Sequence, residues 1–353
     1  MVKKLFYCRR CDTANILNIY GETYTAQCVN CSSFFRYVSN KFGKETVIDG
    51  KYQIIEVLNN EHNNCTYISL DLISKKLVRL RIFNWEYSFS VSHPQEFLHV
   101  NEKISILLQP GSVKIVDWGI ENNLIYIVYS CEKVNTIKEL LDMGKCFNPS
   151  MAVFILRGVA LCLSKAKDQL GIGHYALSPN VIGLDANGNP LIYETGFAAQ
   201  LFHDDRFISS GVEFYDSRYQ SPEVELNWNE PDLYSDMYSL AMCLYSMVTG
   251  DTPLNSTHPI SPEDYEGIVS HKYNKLKLSK AFWKLFTRLI SKESAKRFNS
   301  WSDVTSSMND YLQDKNDEII KESYEVSNFI EVNYKSVNCF DIIPNIGHIS
   351  LNE

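Results

Sequence analysis

The stretch Gly171–Phe197, GIGHYALSPNVIGLDANGNPLIYETGF, constrains the fold most. Two short apolar runs, Val181–Leu184 and Leu191–Glu194, flank the turn residues Asp185-Ala186-Asn187-Gly188-Asn189. Asn-Gly between apolar runs is a strong hairpin signal, because a tight turn needs positive φ that Asn and Gly tolerate. The spacing therefore predicts a loop, a strand, a turn and a second strand. Gly196 follows at a point where the backbone needs freedom in φ.

The chain around this hairpin has 353 residues, 45% hydrophobic and 22% charged, which is ample for a large core and for two or three units. No apolar run approaches 18 residues, so neither a membrane-crossing helix nor a membrane partner is expected. The opening MVKKLFYCRRC is basic without an apolar core, unlike a secretory signal, which leaves the cytoplasm as the expected location. Net charge is −8, unevenly spread: residues 1–45 carry seven Lys/Arg against three acids, a local +4, which leaves −12 for the rest. An acidic body argues against wholesale nucleic-acid binding; only residues 1–45 leave that partner open.

Ten cysteines fall into two groups. Cys65, Cys131, Cys146, Cys162, Cys243 and Cys339 are scattered and mostly in apolar surroundings, as inert thiols of a reducing compartment are. Cys8 and Cys11, then Cys28 and Cys31, form two C-x-x-C pairs sixteen residues apart. Each pair can sit in a tight turn with both thiolates aimed at one centre, and two pairs make a closed tetrahedral site for structural Zn(2+). The pattern resembles a zinc ribbon over residues 1–45; two disulfides or a thiol redox pair are the alternatives. So small a unit would draw much of its folding energy from the metal.

Downstream, short runs with short connections predict strands at 52–58, 65–70 and 76–83 in an antiparallel meander, then 113–118 and 124–129, with a helix over 94–108 closed by Pro110-Gly111. After Ser130 the texture is helical. Ser150 is a candidate cap for the helix to Leu170. Residues 235–249 are apolar nearly all round and so buried, and further helices fall near 279–291 and 302–312. Residues 198–220 read as a loop whose Ser209, Ser210, Tyr215 and Tyr219 could form a contact surface. The expected fold class is α+β: a five-stranded lobe with one helix, followed by a helical lobe.

This order, with the opening stretch, resembles a protein kinase of the Ser/Thr superfamily over residues 50–313. That implies a bilobal fold, preceded by the ribbon and followed by an extension over 314–353. In the family a Gly-rich loop, V-A-I-K, H-R-D-L-x-x-x-N and D-F-G handle ATP and metal. Here Asn59, Glu61 and Asn64 stand where the three glycines would be. V-A-I-K reads Val78-Arg79-Leu80-Arg81, so Arg81 takes the place of the phosphate-binding lysine. The helix glutamate's position falls on Val100, with Glu102 close but on another face. In HYALSPNV, Ala176 replaces the base aspartate, Ser178 the loop lysine and Val181 the metal-holding asparagine, with Asn180 one place early. Glu194-Thr195-Gly196 replaces D-F-G. The residues that hold the family's large lobe together are kept: His174, Leu177, Pro179, Gly196, Glu223 in Ser-Pro-Glu, Asp236 and Arg297.

The resemblance thus implies a frame retained and a chemistry altered. The expectation is a catalytically inactive pseudokinase, not an enzyme, with ATP and Mg unlikely as cofactors. It would act as a scaffold or allosteric partner of another protein, with the ribbon as a second docking module. The alternatives are an atypical nucleotide-dependent transferase using Arg81 and Glu194, with a vestigial nucleotide site at Asn59, Glu61, Asn64, Arg81 and Glu194, and nucleic-acid binding through the ribbon. The tail from Lys315 is too apolar for pure disorder, and either packs on the body or binds a partner.

Overall fold

The structure is a computed structural model that describes residues 2–7, 13–19, 23–32, 34–38, 41–60, 64–84, 88, 90–130, 134–185, 187–210, 215–226, 232–253 and 278–335. Two small antiparallel pairs come first, β1 (Val2–Tyr7) with β2 (Ala14–Ile19), and β3 (Thr23–Gln27) with β4 (Phe34–Val38). The zinc expectation is corrected here. Among the described residues no group of three or more His, Cys, Asp or Glu is placed to hold a metal ion. Cys28 is buried, with its Sγ 3.6 Å from Asn15 Nδ2, while Asn15 Oδ1 accepts from Val29 N at 2.9 Å. Cys31 is half-buried, and Cys8 and Cys11 lie outside the described residues.

The next lobe is one antiparallel sheet in the order β5-β6-β7-β8-β10-β9. Its strands are β5 (Val47–Ile48), β6 (Tyr52–Asn60), β7 (Asn64–Asp71), β8 (Leu77–Phe83), β9 (Ile115–Glu121) and β10 (Leu124–Ser130). Six strands stand where five were expected. β5 is two residues long, too short to show a period of two in the sequence. The register fixes which residues share a face: Tyr67, Leu80 and Val128 lie opposite one another and form one core cluster with Ile54, Ile82 and Tyr126. The other face carries Arg81 between Thr66 and Ile127, and Arg79 between Ile68 and Tyr129. α1 (Pro94–Leu107) starts at a proline, which suits a first helical turn, and packs on β9.

The larger lobe is built on α3 (Pro149–Leu170). Its cap is Asn148, which accepts from Met151 N at 2.8 Å, with Pro149 at the first position and Gly171 at φ 71° closing it. The candidate cap Ser150 instead donates to Glu318 at 2.7 Å. By length and composition α3 could cross a membrane, yet it is a core helix here, packed on α7 (Leu233–Thr249), α9 (Trp301–Leu312) and α10 (Asn316–Lys335). α8 (Lys280–Leu289) packs between α7 and α9. The tail thus packs back on the body over α10, where Glu322 accepts from Asn148 N at 3.0 Å and pairs with Lys145. The span 198–220, expected as a loop, holds α4 (Phe197–Leu201) and α5 (Asp205–Ser210), each too short to show a helical period.

The short α2 (Ile137–Asp142) and the sheet β11 (Asn135–Thr136), β12 (Ile182–Leu184), β13 (Pro190–Ile192) lie at the junction of the lobes. The turn between β12 and β13 forms as expected: Gly188, at φ 80°, donates to Asp185 O, and the Asp185 carboxylate accepts from Asn187 N and Asn189 N.

An ion pair between a buried arginine and a half-buried glutamate ties α6 (Pro222–Leu226) to the far end of the lobe. Arg297, 1% exposed, donates to both Glu223 oxygens at 2.5 and 3.0 Å, to Ser291 O and to Tyr234 O, and lies over the Tyr238 ring. Removing one partner of such a pair leaves a buried charge without compensation. Glu223→Ala is therefore expected to lower stability by about 3–5 kcal/mol in urea denaturation, and Glu223→Ala with Arg297→Met by clearly less. Equal losses in the two variants would show that the pair acts as packing alone.

Candidate functional site

The candidate site lies where the Arg79/Arg81 face of the first sheet meets the β11–β13 sheet. Arg81 Nη1 is 2.6 Å from Glu194 Oε1, and both side chains are largely buried. Alternation along β8 aims Arg81 at this gap, since residues two apart share a face. Glu194 reaches it from just beyond β13 with φ 60°, a left-handed backbone that a non-glycine residue holds at a cost of about 1–3 kcal/mol. Gly196 follows at φ 97°, and Phe197 N donates back to Glu194 O at 3.0 Å. The Tyr129 hydroxyl, fully buried, is pushed well above its ordinary pKa by desolvation and then by the Glu194 charge.

His174 and Asp236 hold the loop beneath this pair. The Tyr193 carbonyl can only accept, so His174 Nε2–H donates to it (2.9 Å), and Nδ1 takes the Ala176 N–H (3.3 Å). The ring is therefore neutral, and burial holds its pKa down at about 4. Asp236 accepts from His174 N and Tyr175 N, both at 2.7 Å. Burial pushes its pKa up to about 7, against the lowering effect of those two N–H groups. Gly173 is required by close approach: a Cβ there would lie 2.3 Å from the Tyr175 ring and 2.6 Å from Asp236 Oδ2.

The other expected positions divide. Ala176 is half-buried and brings no titratable group, Ser178 is buried, and Val181 sits in the main apolar core. Asn180 lines the gap, which reaches the cavity beside Arg79 and Arg81. Asn64 is buried on β7 opposite Phe83; the Asn59 side chain and Glu61 lie outside what is described. Val100 faces a separate apolar groove of about 990 Å3 beneath α1, and Glu102 accepts from Trp118 Nε1 at 2.9 Å, so neither meets Arg81.

Sequence reasoning passed over a second buried pair. Arg79 Nη2 donates to Val134 O (2.9 Å) and to Glu139 Oε2 (3.2 Å), and its guanidinium lies 5.6 Å from the Tyr193 ring centre. Glu139 is also the capping-box acid of α2, accepting from Thr136 N at 2.9 Å while Thr136 Oγ1 accepts from Glu139 N. Two signals were present: arginines two apart on a strand, and Thr-x-x-Glu ahead of an apolar run. Between the two pairs the cavity is about 20 Å3.

Comparison with known proteins agrees with this architecture. The Protein kinase domain family matches residues 95–310. "Serine/threonine-protein kinase PrkC" of Bacillus subtilis is 26% identical over 61% of this chain and 33% of its own length. "Probable serine/threonine-protein kinase CPE1738" of Clostridium perfringens is 21% identical over 79% of this chain and 41% of its own. The crystal structure of the Mycobacterium tuberculosis PknI kinase domain superposes with a TM-score of 0.57 at 16% identity, covering 76% of this chain and 99% of that one. A two-lobed fold with these motifs defines a protein kinase domain, and the chain belongs to that family. It spans about a third to two fifths of the length of these curated bacterial relatives.

These comparisons correct the functional expectation. An inactive scaffold that is not an enzyme, with ATP and Mg unlikely, does not stand against relatives named as serine/threonine-protein kinases. A protein kinase takes its phosphoryl group from a nucleoside triphosphate with Mg. The inactive expectation rested on the changed base, lysine, asparagine, glycine and D-F-G positions taken together, and each of these is one contribution to a reaction that rests mainly on positioning and electrostatics.

His174 and Asp236 make opposite contributions to the pH dependence of stability. The folded pKa of His174, about 4, lies below its ordinary 6.5. Its contribution is complete above pH 6.5 and is lost as pH falls towards 4. The folded pKa of Asp236, about 7, lies above its ordinary 3.8, so its contribution is present at low pH and is lost as pH rises through 7. The stability difference between wild type and His174→Gln is expected to grow by about 3 kcal/mol from pH 4 to pH 6.5 in denaturation series. A difference that stays constant with pH would place the His174 pKa near its unfolded value.

Proposed function

We propose that the chain is a nucleotide-dependent phosphoryl transferase of the protein kinase family, centred on Arg81 and Glu194. The acceptor class is the serine or threonine hydroxyl for which its relatives are named. The observation that supports this most is the buried Arg81–Glu194 contact at 2.6 Å, which joins the two lobes across the cleft. A guanidinium keeps its charge at any working pH and suits phosphate oxygens, and Glu194 brings a carboxylate to the same point. The reading assigns the catalytic unit to residues 50–313, with 314–353 as an extension, and sets it in the cytoplasm, where nucleoside triphosphate is supplied.

Between the Arg81–Glu194 and Arg79–Glu139 contacts the cavity is about 20 Å3, room for about one water and not for a phosphate group. A phosphate group reaching Arg81 and Glu194 must therefore displace side chains at this point. Ala176 offers no base, and general-base help is typically worth about 10²–10⁴ in rate. Turnover is accordingly expected below the roughly 1–100 s⁻¹ typical of kinases.

Titration with ATP and Mg2+ tests the reading. Ligand at about a hundred times its Kd stabilises by about 2.7 kcal/mol, which for a domain of this size raises Tm by about 5–10 °C. Arg81→Ala is expected to abolish most of that shift, and the wild type to transfer labelled phosphate to a serine or threonine substrate. No shift in the wild type at millimolar nucleotide, with either Mg2+ or Mn2+, would overturn the proposal.

A further inference from the structure

We infer that Arg79 is an internal plug of the nucleotide cleft, holding it shut through Val134 and Glu139 and thereby setting nucleotide affinity. The inference rests on the proposed nucleotide-dependent function, and it concerns the space of about 20 Å3 left between the two arginine pairs.

The register of β8 dictates the arrangement. Arg79 and Arg81 project from the same face, so both long side chains enter one gap, and both are 7% exposed. Arg81 crosses it to Glu194. Arg79 crosses beside it, binds the Val134 carbonyl and Glu139, and lies against Tyr193. Thr66, Tyr129, Thr136 and Asn180 complete the wall of the cavity of about 20 Å3 that remains. In the V-A-I-K pattern the residue at position 79 is alanine. Truncating Arg79 to alanine removes every side-chain atom beyond Cβ from this space and frees the Val134 carbonyl as an acceptor for an incoming group.

The contact is built to be reversible. Glu139 accepts from Thr136 N whether or not Arg79 is present, so opening leaves its carboxylate satisfied at the N-terminus of α2. Arg79 is carried on a four-bond side chain that can turn out of the gap without any change in the strand. A ligand must displace it, and the apparent affinity falls by the fraction of molecules in which the cleft is open. For a charge-assisted hydrogen bond of ordinary strength, that fraction is about one in ten to one in a hundred.

The test compares wild type, Arg79→Ala and the double variant Arg79→Ala/Glu139→Gln. The double variant removes the buried carboxylate that the single one leaves facing the gap. Two readouts are taken: ATP–Mg2+ affinity by isothermal titration, and hydrogen exchange of the backbone amides of residues 134–139 without nucleotide. The expected result is binding at least tenfold tighter in both variants and faster exchange at residues 134 and 135, beside the Val134 carbonyl that Arg79 releases. Equal affinity and equal exchange in all three proteins would overturn the plug. Faster exchange in the variants, with no nucleotide bound by any of the three, would confirm the closure and overturn the nucleotide reading instead.

Discussion

The candidate site depends on one constraint: the loop from Gly173 to Val181 is buried but has no regular secondary structure to satisfy its backbone. Buried N–H and C=O groups need partners, and here side chains supply them. Asp236 takes two successive N–H groups of the loop, and His174 spans from the Ala176 N–H to the Tyr193 carbonyl. The second of these links matters most. It joins the loop to the residue before Glu194, so the position of that carboxylate is set by an imidazole that carries no charge. A charged His174 would lose the acceptor at Nδ1 and with it one end of the bridge.

That frame explains how a chain can keep a family's architecture while its side chains at the cleft change. The sheet register, the left-handed backbone at Tyr175 and Glu194, and the Asp236 and His174 bonds involve main-chain atoms. Replacement of the groups that project into the cleft leaves them intact. Ala176, Val181 and Asn64 are therefore compatible with the fold.

Much of this was legible in the sequence, for physical reasons that differ by residue. The β12–β13 hairpin announces itself through Asn187-Gly188, because few residues tolerate that turn. β10 shows as a dense apolar run because both of its faces are buried, whereas β7 and β8 carry polar residues at buried positions. Arg297 and Glu223 were legible as partners only through a resemblance, since nothing local in either segment points to the other 74 residues away. β5 escaped because two residues carry no period. The Arg79–Glu139 contact escaped because each half has a sufficient local explanation, one as a strand residue and one as a capping-box acid. The Cys8–Cys31 pattern is of another kind: regular spacing states that four thiols could converge, convergence is a property of the folded chain, and Cys8 and Cys11 lie outside the described residues.

The two cleft arginines and Arg297 show why buried ion pairs do not all mean the same thing. Arg297 is held by both oxygens of Glu223, two carbonyls and the face of Tyr238, and every one of these belongs to the same lobe. Nothing is gained by opening that contact, and a charge would be stranded. Arg79 and Arg81 bridge between lobes, and Glu139 has a local donor of its own in Thr136 N. A pair whose acid stays satisfied after separation is suited to a joint that opens, whereas a pair whose basic partner is enclosed on all sides is suited to a joint that does not. The burial of the arginines is nearly the same, at 7% for Arg79 and 1% for Arg297. The distribution of the remaining hydrogen bonds decides which contact is a fastening and which is a latch.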